Sequence, residues 1–286
     1  MTEAVQRARR LGKGSVSHVC ERFATKRNAY YKHLRSASKN LAISNKLLNY
    51  VRERRKEQPR EGCRKIYKAL QQDDAMHALK IGRDKLFTLL REQNMLVRKK
   101  RSFVKTTDSN HRFRKYENKI KDLQIVRPNQ VWVSDITYIR MIHGHCYLAL
   151  ITDAYSRKIV GYDVSNSLEL AGCLRAFKTA QRQARPTPGL IHHSDRGSQY
   201  CSNDYVGLLK HHKVEISMTQ ENHCYENAMA ERVNGILKDE FYLDQTFSSL
   251  ALVQKACANA IKIYNTKRLH LSLGYKTPEQ VYKMSA

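Results

Sequence analysis

Hydrophobic positions change their period near the middle of the chain. Before about residue 125 they recur at helical spacing; beyond it, alternating runs take turns with helical stretches. In residues 15–37, Val16, Val19, Phe23, Tyr30 and Leu34 keep roughly helical spacing around a break at Ala24 to Asn28. Two short helices with a tight turn are predicted there, an outline shared by a helix-turn-helix and an ordinary surface helix pair. Leu41, Ile43, Leu47, Leu48 and Val51 mark a helix over 41–58. Pro59 and Gly62 break the pattern before a helix carrying Ile66 and Leu70, and Ile81, Leu86, Leu89, Leu90 and Leu96 form the apolar face of another over 81–96. Residues 97–122 are rich in Lys, Arg, Ser, Thr and Asn with little periodicity, which predicts a linker.

Strand signals begin at "QVWVSDITYI" (130–139), where both alternating sets are apolar or β-forming, as in a strand covered on both faces. "GHCYLALITDA" (144–154) and "RKIVGYDVS" (157–165) follow after short turns and predict an antiparallel meander. A helix over 168–184, a strand over 189–193, a helix over 203–212, a strand over 214–218 and helices over 225–242 and 248–265 complete the pattern. That order is what a mixed α/β sheet of ribonuclease-H type requires, preceded here by small all-α, helix-turn-helix-like modules. The expected segments are a helical part over 1–40, a second helical module over 41–100, a linker over 101–124 and the α/β domain over 125–286.

The chain has 286 residues and a hydrophobic fraction of 41%, enough for a sizeable core. Charge sharpens the picture. Lys plus Arg number 52 against 26 acidic residues, giving +26. Residues 1–125 hold 33 basic and 12 acidic residues (+21), leaving 19 and 14 (+5) for the remainder. A field so concentrated favours a polyanion, because each neutralised phosphate releases counterions. Of the helical segments, 81–96 is the better candidate to meet DNA, since a recognition helix needs an apolar back and a polar front, and Arg83 and Lys85 lie along it. No apolar run approaches a bilayer span, and "MTEAVQRARR" lacks the apolar segment of a secretory signal, so an intracellular protein is expected. Seven scattered cysteines without a C-x2-C pair signal neither a zinc knuckle nor a disulfide framework.

Candidate chemistry lies on the sheet. A carboxylate in mid-strand is costly unless paired or metal-bound. Asp135 sits in the middle of the best strand, and Asp195 lies just past the carboxyl end of a later one, where sites in α/β sheets commonly form. His192 and His193 raise the question of zinc, but adjacent residues on a strand face opposite ways and do not readily share one ion. A third acid must come from a helix. "CYENAMAERVNGILKDE" (224–240) offers Glu226, Glu231, Asp239 and Glu240. At about 100° per residue, Asn227, Glu231, Asn234 and Lys238 share one face, and Glu226 points elsewhere.

Asp135, Asp195 after 59 intervening residues and Glu231 after 35 more resemble the Asp-Asp-35-Glu triad of retroviral-integrase-type enzymes. The flanking words "WVSDITYI", "DAYSRKIVG", "HHSDRGSQY", "NAMAERVNGILKDE" and "RLHLSLGYKTPEQ" resemble a narrower group, the bacterial insertion-sequence transposases of the IS-three type, in their second-frame product. The resemblance covers residues 125–283 strongly and 45–105 more weakly. It implies an integrase-like catalytic core in which Asp135, Asp195 and Glu231 hold two Mg²⁺ ions, with Mn²⁺ able to substitute. The implied activity is 3′-end cleavage and strand transfer on double-stranded DNA, at the element's terminal inverted repeats and at target DNA. Lys238 matches the family's following basic residue, a DNA contact near the cut, and Arg232 beside the triad is a further contact. Arg268 and His270 match the C-terminal word, with DNA contact or packing as their role.

The resemblance also implies at least a dimer on DNA, the upstream-frame product as a partner, and a cytoplasmic, nucleoid-associated location without a membrane. The chain departs from the pattern at Glu226, where relatives often carry Asp, and the integrase-type zinc module is not visible in it. A catalytically silent DNA-binding regulator and a nuclease of ribonuclease-H type are the competing classes.

Overall fold

The computed structural model describes residues 7, 10–12, 15–98, 112–186, 188–220 and 228–284. Much of the expected linker, and Glu226 with its neighbours, lie outside the described residues. The chain forms two compact units, residues 1–56 with 66–96, and residues 57–65 with 97–286.

In the first unit, Ser15 caps helix α1 (Val16–Arg22) by accepting a hydrogen bond from the His18 N–H at 3.3 Å. Ala24, in the left-handed region at φ 49°, ends that turn. Helix α2 (Arg27–Glu57) starts with Tyr30 packed on Val19 and Cys20. It runs unbroken for 31 residues, although the apolar pattern predicted a break between residues 37 and 41. No Gly or Pro interrupts that stretch, so nothing stops propagation. The pattern changes because its buried stripe lapses: Leu41 is 63% exposed, and burial resumes at Leu47, Leu48 and Val51. Helices α3 (Cys63–Gln72), α4 (Asp74–His77) and α5 (Arg83–Glu92) follow. On α5, Leu86 and Leu90 are fully buried and Arg83 and Lys85 face solvent, so the apolar back and polar front are present.

The second unit is built on five strands in the order β3-β2-β1-β4-β5. Strands β1 (Val131–Arg140), β2 (His145–Asp153) and β3 (Ile159–Ser165) form the antiparallel meander. β4 (Ile191–Ser194) and β5 (Glu215–Met218) add in parallel beside β1. Helix α6 (Leu170–Ala184), the short α7 (Ser198–Cys201) and α8 (Asn203–His211) connect them. Helices α9 (Ala228–Glu240), α10 (Leu250–Thr266) and α11 (Pro278–Met284) complete the chain. This is the expected mixed sheet of ribonuclease-H type.

β1 is covered on both faces, as its double apolar pattern required. Trp132 packs with Phe177 of α6 and Tyr205 of α8 in one core. Ile139 joins Val233 and Leu237 of α9 and Val253 of α10 in the other. α6 lies so close to β3 that a Cβ on Gly161 would stand 2.4 Å from the Ala176 carbonyl oxygen, which accounts for glycine in "DAYSRKIVG". Residues just before β1 run along the sheet edge: the Lys119 N–H donates to Ser217 Oγ at 2.9 Å and the Glu117 carbonyl accepts from Met218. The C-terminal part of the expected linker is therefore seated on β5 rather than free.

Candidate active site

Sheet register brings two of the expected acids together. Parallel pairing sets Ser134 of β1 opposite Ser194 of β4, and in each strand the next residue is the aspartate. In-register neighbours on adjacent strands point to the same side, about 4.8 Å apart. Asp135 remains inside β1, while Asp195 follows the end of β4 and turns the chain: its Oδ1 accepts the Gly197 N–H at 3.0 Å. The Asp135 carboxylate is held on both oxygens. Oδ1 accepts its neighbour's Ile136 N–H at 2.9 Å, and Oδ2 accepts the Asn234 side-chain amide at 2.7 Å.

Asn234 belongs to α9, which packs on β1 through Ala230 against Val131 and Val133, and through Val233 and Leu237 against Ile139. With the apolar stripe fixed inward, Glu231, Asn234 and Lys238 at i, i+3 and i+7 form the stripe beside it. Asn234 is buried on Asp135, and Glu231, one turn earlier, is exposed. The Lys238 ammonium lies 4.4 Å from the centroid of the Tyr138 ring.

Electrostatics ties the three acids together. Burial first, then the charge of Asp195 and more weakly that of Glu231, push the Asp135 carboxyl up to about 7, against the hydrogen bonds from Asn234 and Ile136. Burial holds the Lys238 ammonium below its ordinary value, opposed by the Asp135 charge. In this arrangement no three His, Cys, Asp or Glu side chains among the described residues stand close enough to hold one ion. By its chemistry the donor set suits a hard divalent cation: carboxylates offer oxygen ligands, and a cation at Asp135 would relieve the repulsion that Asp195 and Glu231 exert there. The Asn234 Oδ1, buried beside the carboxylates, has no hydrogen-bond partner among the described residues.

The two histidines are occupied elsewhere. His192 Nε2 lies 2.7 Å from Ser134 Oγ and 2.9 Å from the Tyr205 hydroxyl, in a ring cluster with Phe177 and Tyr200. Burial, helped by the neighbouring His193, pushes its imidazole down to about 3 and keeps it neutral. His193 Nδ1 is 2.9 Å from Ser217 Oγ on β5. These contacts hold both rings in the interior, packed between β1, β5 and α8. Six cysteines among the described residues are buried free thiols.

Of the remaining expected DNA contacts, Arg232 is exposed on α9 beside Glu231, and Arg83 and Lys85 are exposed on α5, with Arg83 paired to Asp84 at 2.9 Å. Arg268 and His270 are different. The Arg268 guanidinium is 4% exposed and grips Glu240 through two bonds of 2.8 and 2.7 Å; His270 is buried edge-on to Tyr264. Of the two roles read for them, packing is the one these positions serve, because a guanidinium already paired in the interior is not presented to a phosphate. Asp239 and Glu240, offered as alternative acids, are likewise committed, to Arg60 and to Lys65 with Arg268. Two residues at the site carried little signal of their own: Asn234 was visible only as a member of the Glu231 face, and Tyr138 only as a β-former.

Two profiles, each described as an integrase core domain, match residues 126–224 and 212–278. An uncharacterized 31 kDa protein of insertion element IS600 from Shigella sonnei is 34% identical over 278 residues, covering 94% of this chain and 100% of that protein. The transposase InsF of insertion sequence IS3A from Escherichia coli K12 is 34% identical over 193 residues, 67% of each chain. Among solved structures, the HTLV-2 integrase catalytic core domain in complex with magnesium aligns with 56% of this chain and 99% of its own, at 19% identity and a TM-score of 0.46. With one relative matched over its full length, an IS3 transposase matched over 67% of its own length and integrase-core matches spanning residues 126–278, the chain belongs to the insertion-sequence transposases of the IS3 type.

Proposed function

We propose that this transposase cuts and joins DNA strands at a site made by Asp135, Asp195 and Glu231. The observation that carries the reading is the convergence at β1: two aspartates side by side by register, and a helix whose Asn234 is bonded to the first of them one turn from Glu231. The three carboxylates would hold divalent cations, Mg²⁺ with Mn²⁺ substituting. When bound, such ions supply charge stabilisation at the attacking and leaving oxygens of a phosphodiester.

The chain's own residues do the rest. Asn234 and the Ile136 N–H fix one orientation of the Asp135 carboxylate. The Asp195 turn holds the second carboxylate beside it. Lys238, Arg232 and, on α5, Arg83 and Lys85 supply positive charge for the DNA backbone. A water would first attack the phosphodiester at the element end, breaking its bond to the 3′-oxygen and leaving a 5′-phosphate and a free 3′-hydroxyl. That hydroxyl would then attack a target phosphodiester, forming the new joint as the target's own 3′-oxygen departs. Double-stranded DNA is thus the substrate, with at least two copies of the chain acting on two ends, joined by the upstream-frame product in a nucleoid-associated complex. No described helix is long and apolar enough to cross a membrane.

The test is cleavage and joining of a labelled duplex carrying the element's terminal repeat, with Mg²⁺, for wild type and Glu231→Gln. The substitution keeps size and removes a ligand charge. Loss of roughly 10³-fold or more with duplex binding intact is expected, in keeping with the several kcal/mol that metal catalysis contributes. Equal activity in the two proteins would remove Glu231 from the site.

A further inference from the structure

The α9 stripe is tied to β1 at two points, and only one of them is a hydrogen bond. Asn234 donates to Asp135 at 2.7 Å; four residues on, the Lys238 ammonium lies 4.4 Å from the centre of the Tyr138 ring, three residues beyond Asp135. Tyr138 is half-buried and is itself braced edge-on by His145 of β2, ring centres 5.3 Å apart at 88°. Lysine is a point charge on a flexible four-carbon stem, and without a seat its ammonium samples many positions. One of those positions is the Asp135 carboxylate, whose negative charge it feels. An ammonium collapsed there would neutralise a residue that must bind a cation. An aromatic face holds a cation electrostatically while leaving its N–H donors free for an oxygen.

We infer that Tyr138 is a positioning residue: its ring seats the Lys238 ammonium off the Asp135 carboxylate and presents it to the phosphate backbone of the bound strand. The inference rests on the reading of Asp135, Asp195 and Glu231 as the cutting site, and assigns to the neighbouring strand position the task of aiming the basic residue. Tyr138→Phe keeps the aromatic face and should behave as wild type. Tyr138→Leu should lower the joining rate roughly three- to tenfold, the scale of one such contact. Affinity for the duplex in EDTA should stay within about twofold, because the charge remains and only its position is lost.

The experiment compares these variants alone and combined with Lys238→Met. In the Lys238→Met background Tyr138→Leu should add less than about twofold, since contacts acting through one another are not additive. A readout independent of activity is the proton NMR shift of the Lys238 ε-methylene, assigned from Lys238→Met. Ring current should move it upfield in wild type and Tyr138→Phe and not in Tyr138→Leu. A full penalty for Tyr138→Leu without Lys238, a loss in Tyr138→Phe equal to that in Tyr138→Leu, or an ε-methylene shift that ignores the ring overturns the proposal even if the wild type cuts DNA normally. A wild type that shows the ring shift but no Mg²⁺-dependent cutting overturns the catalytic reading, and the positioning role with it.

Discussion

Asp135, a metal ligand in the proposed site, sits in mid-strand with the charges of Asp195 and Glu231 facing it. Burial and the charges of Asp195 and Glu231 raise its carboxyl to about 7, well above its value in an unfolded chain. The folded state therefore binds this proton more tightly than the unfolded state does. The associated stability is present at pH below about 4 and is lost as pH rises toward 7. In metal-free buffer at pH 8 the folded protein holds an ionised carboxylate in an unfavourable place. Asp135→Asn should remove that strain and raise stability by on the order of 2–4 kcal/mol at pH 8, with little gain at pH 4. Thermal unfolding in EDTA at the two pH values checks this, and an equal gain at both would contradict it. Added Mg²⁺ should stabilise the wild type at pH 8 and not Asp135→Asn, because only a ligand that prefers the folded state shifts the midpoint.

Helix α9 shows at the scale of an element what was legible in the sequence. Its inward stripe and the Glu231–Asn234–Lys238 stripe beside it follow from the 3.6-residue period, and β1 was visible from its double apolar pattern. Asp135 and Asp195 stood out because a strand has few reasons to hold a carboxylate. The last residues of α9 carried no such signal. Glu240 meets Arg268, 28 residues on, and Lys65, 175 residues back, and no period links positions so far apart. Arg268 consequently read as a DNA contact as readily as a packed residue. The unbroken α2 was missed for a related reason: the pattern records what a helix packs on, not whether it continues. The Glu240 contacts have an acid signature. Burial alone would raise its carboxyl, but the hydrogen bonds and charge of Arg268, with those of Lys65, bring it down to about 2. A depressed carboxyl contributes stability above its unfolded value of 4.5, and that stability is lost as pH falls through about 2. Glu240→Gln should cost on the order of 3–5 kcal/mol at pH 7, since it leaves Arg268 buried without its charge partner. It should also flatten the loss of stability between pH 4.5 and 2, which pH-dependent denaturant titrations would measure.

At the scale of the whole molecule, the charge asymmetry and the division into units do not coincide. Residues 1–125 carry +21 of the +26, so duplex affinity should fall steeply with salt in the full chain and less steeply in a fragment of residues 112–286. Fluorescence anisotropy at two ionic strengths gives the slopes, and equal slopes would place the phosphate contacts in the second half. That same fragment exposes a further consequence. The segment Glu57–Lys65 lies far from the α/β domain in sequence but belongs to it in space. The Arg60 N–H donates to the Glu240 carbonyl at 3.3 Å, its guanidinium pairs with Asp239, Lys65 holds Glu240 at 2.8 Å and Glu57 pairs with Lys267 at 2.6 Å. A cut in the apparent linker therefore strips helix α9 of two cations while leaving its two terminal acids in place. The fragment should fold, because both cores around the sheet are intact, but its stability should fall by on the order of 1–3 kcal/mol. The loss stays below that of a broken buried pair because Arg268 still holds Glu240. Asp239→Asn should recover part of that loss in the fragment and cost stability in the full chain, since one acid is unpaired in the first and paired in the second. Denaturant midpoints for the four proteins test the reversal of sign; the same sign in both backgrounds would mean that residues 57–65 do not brace the helix.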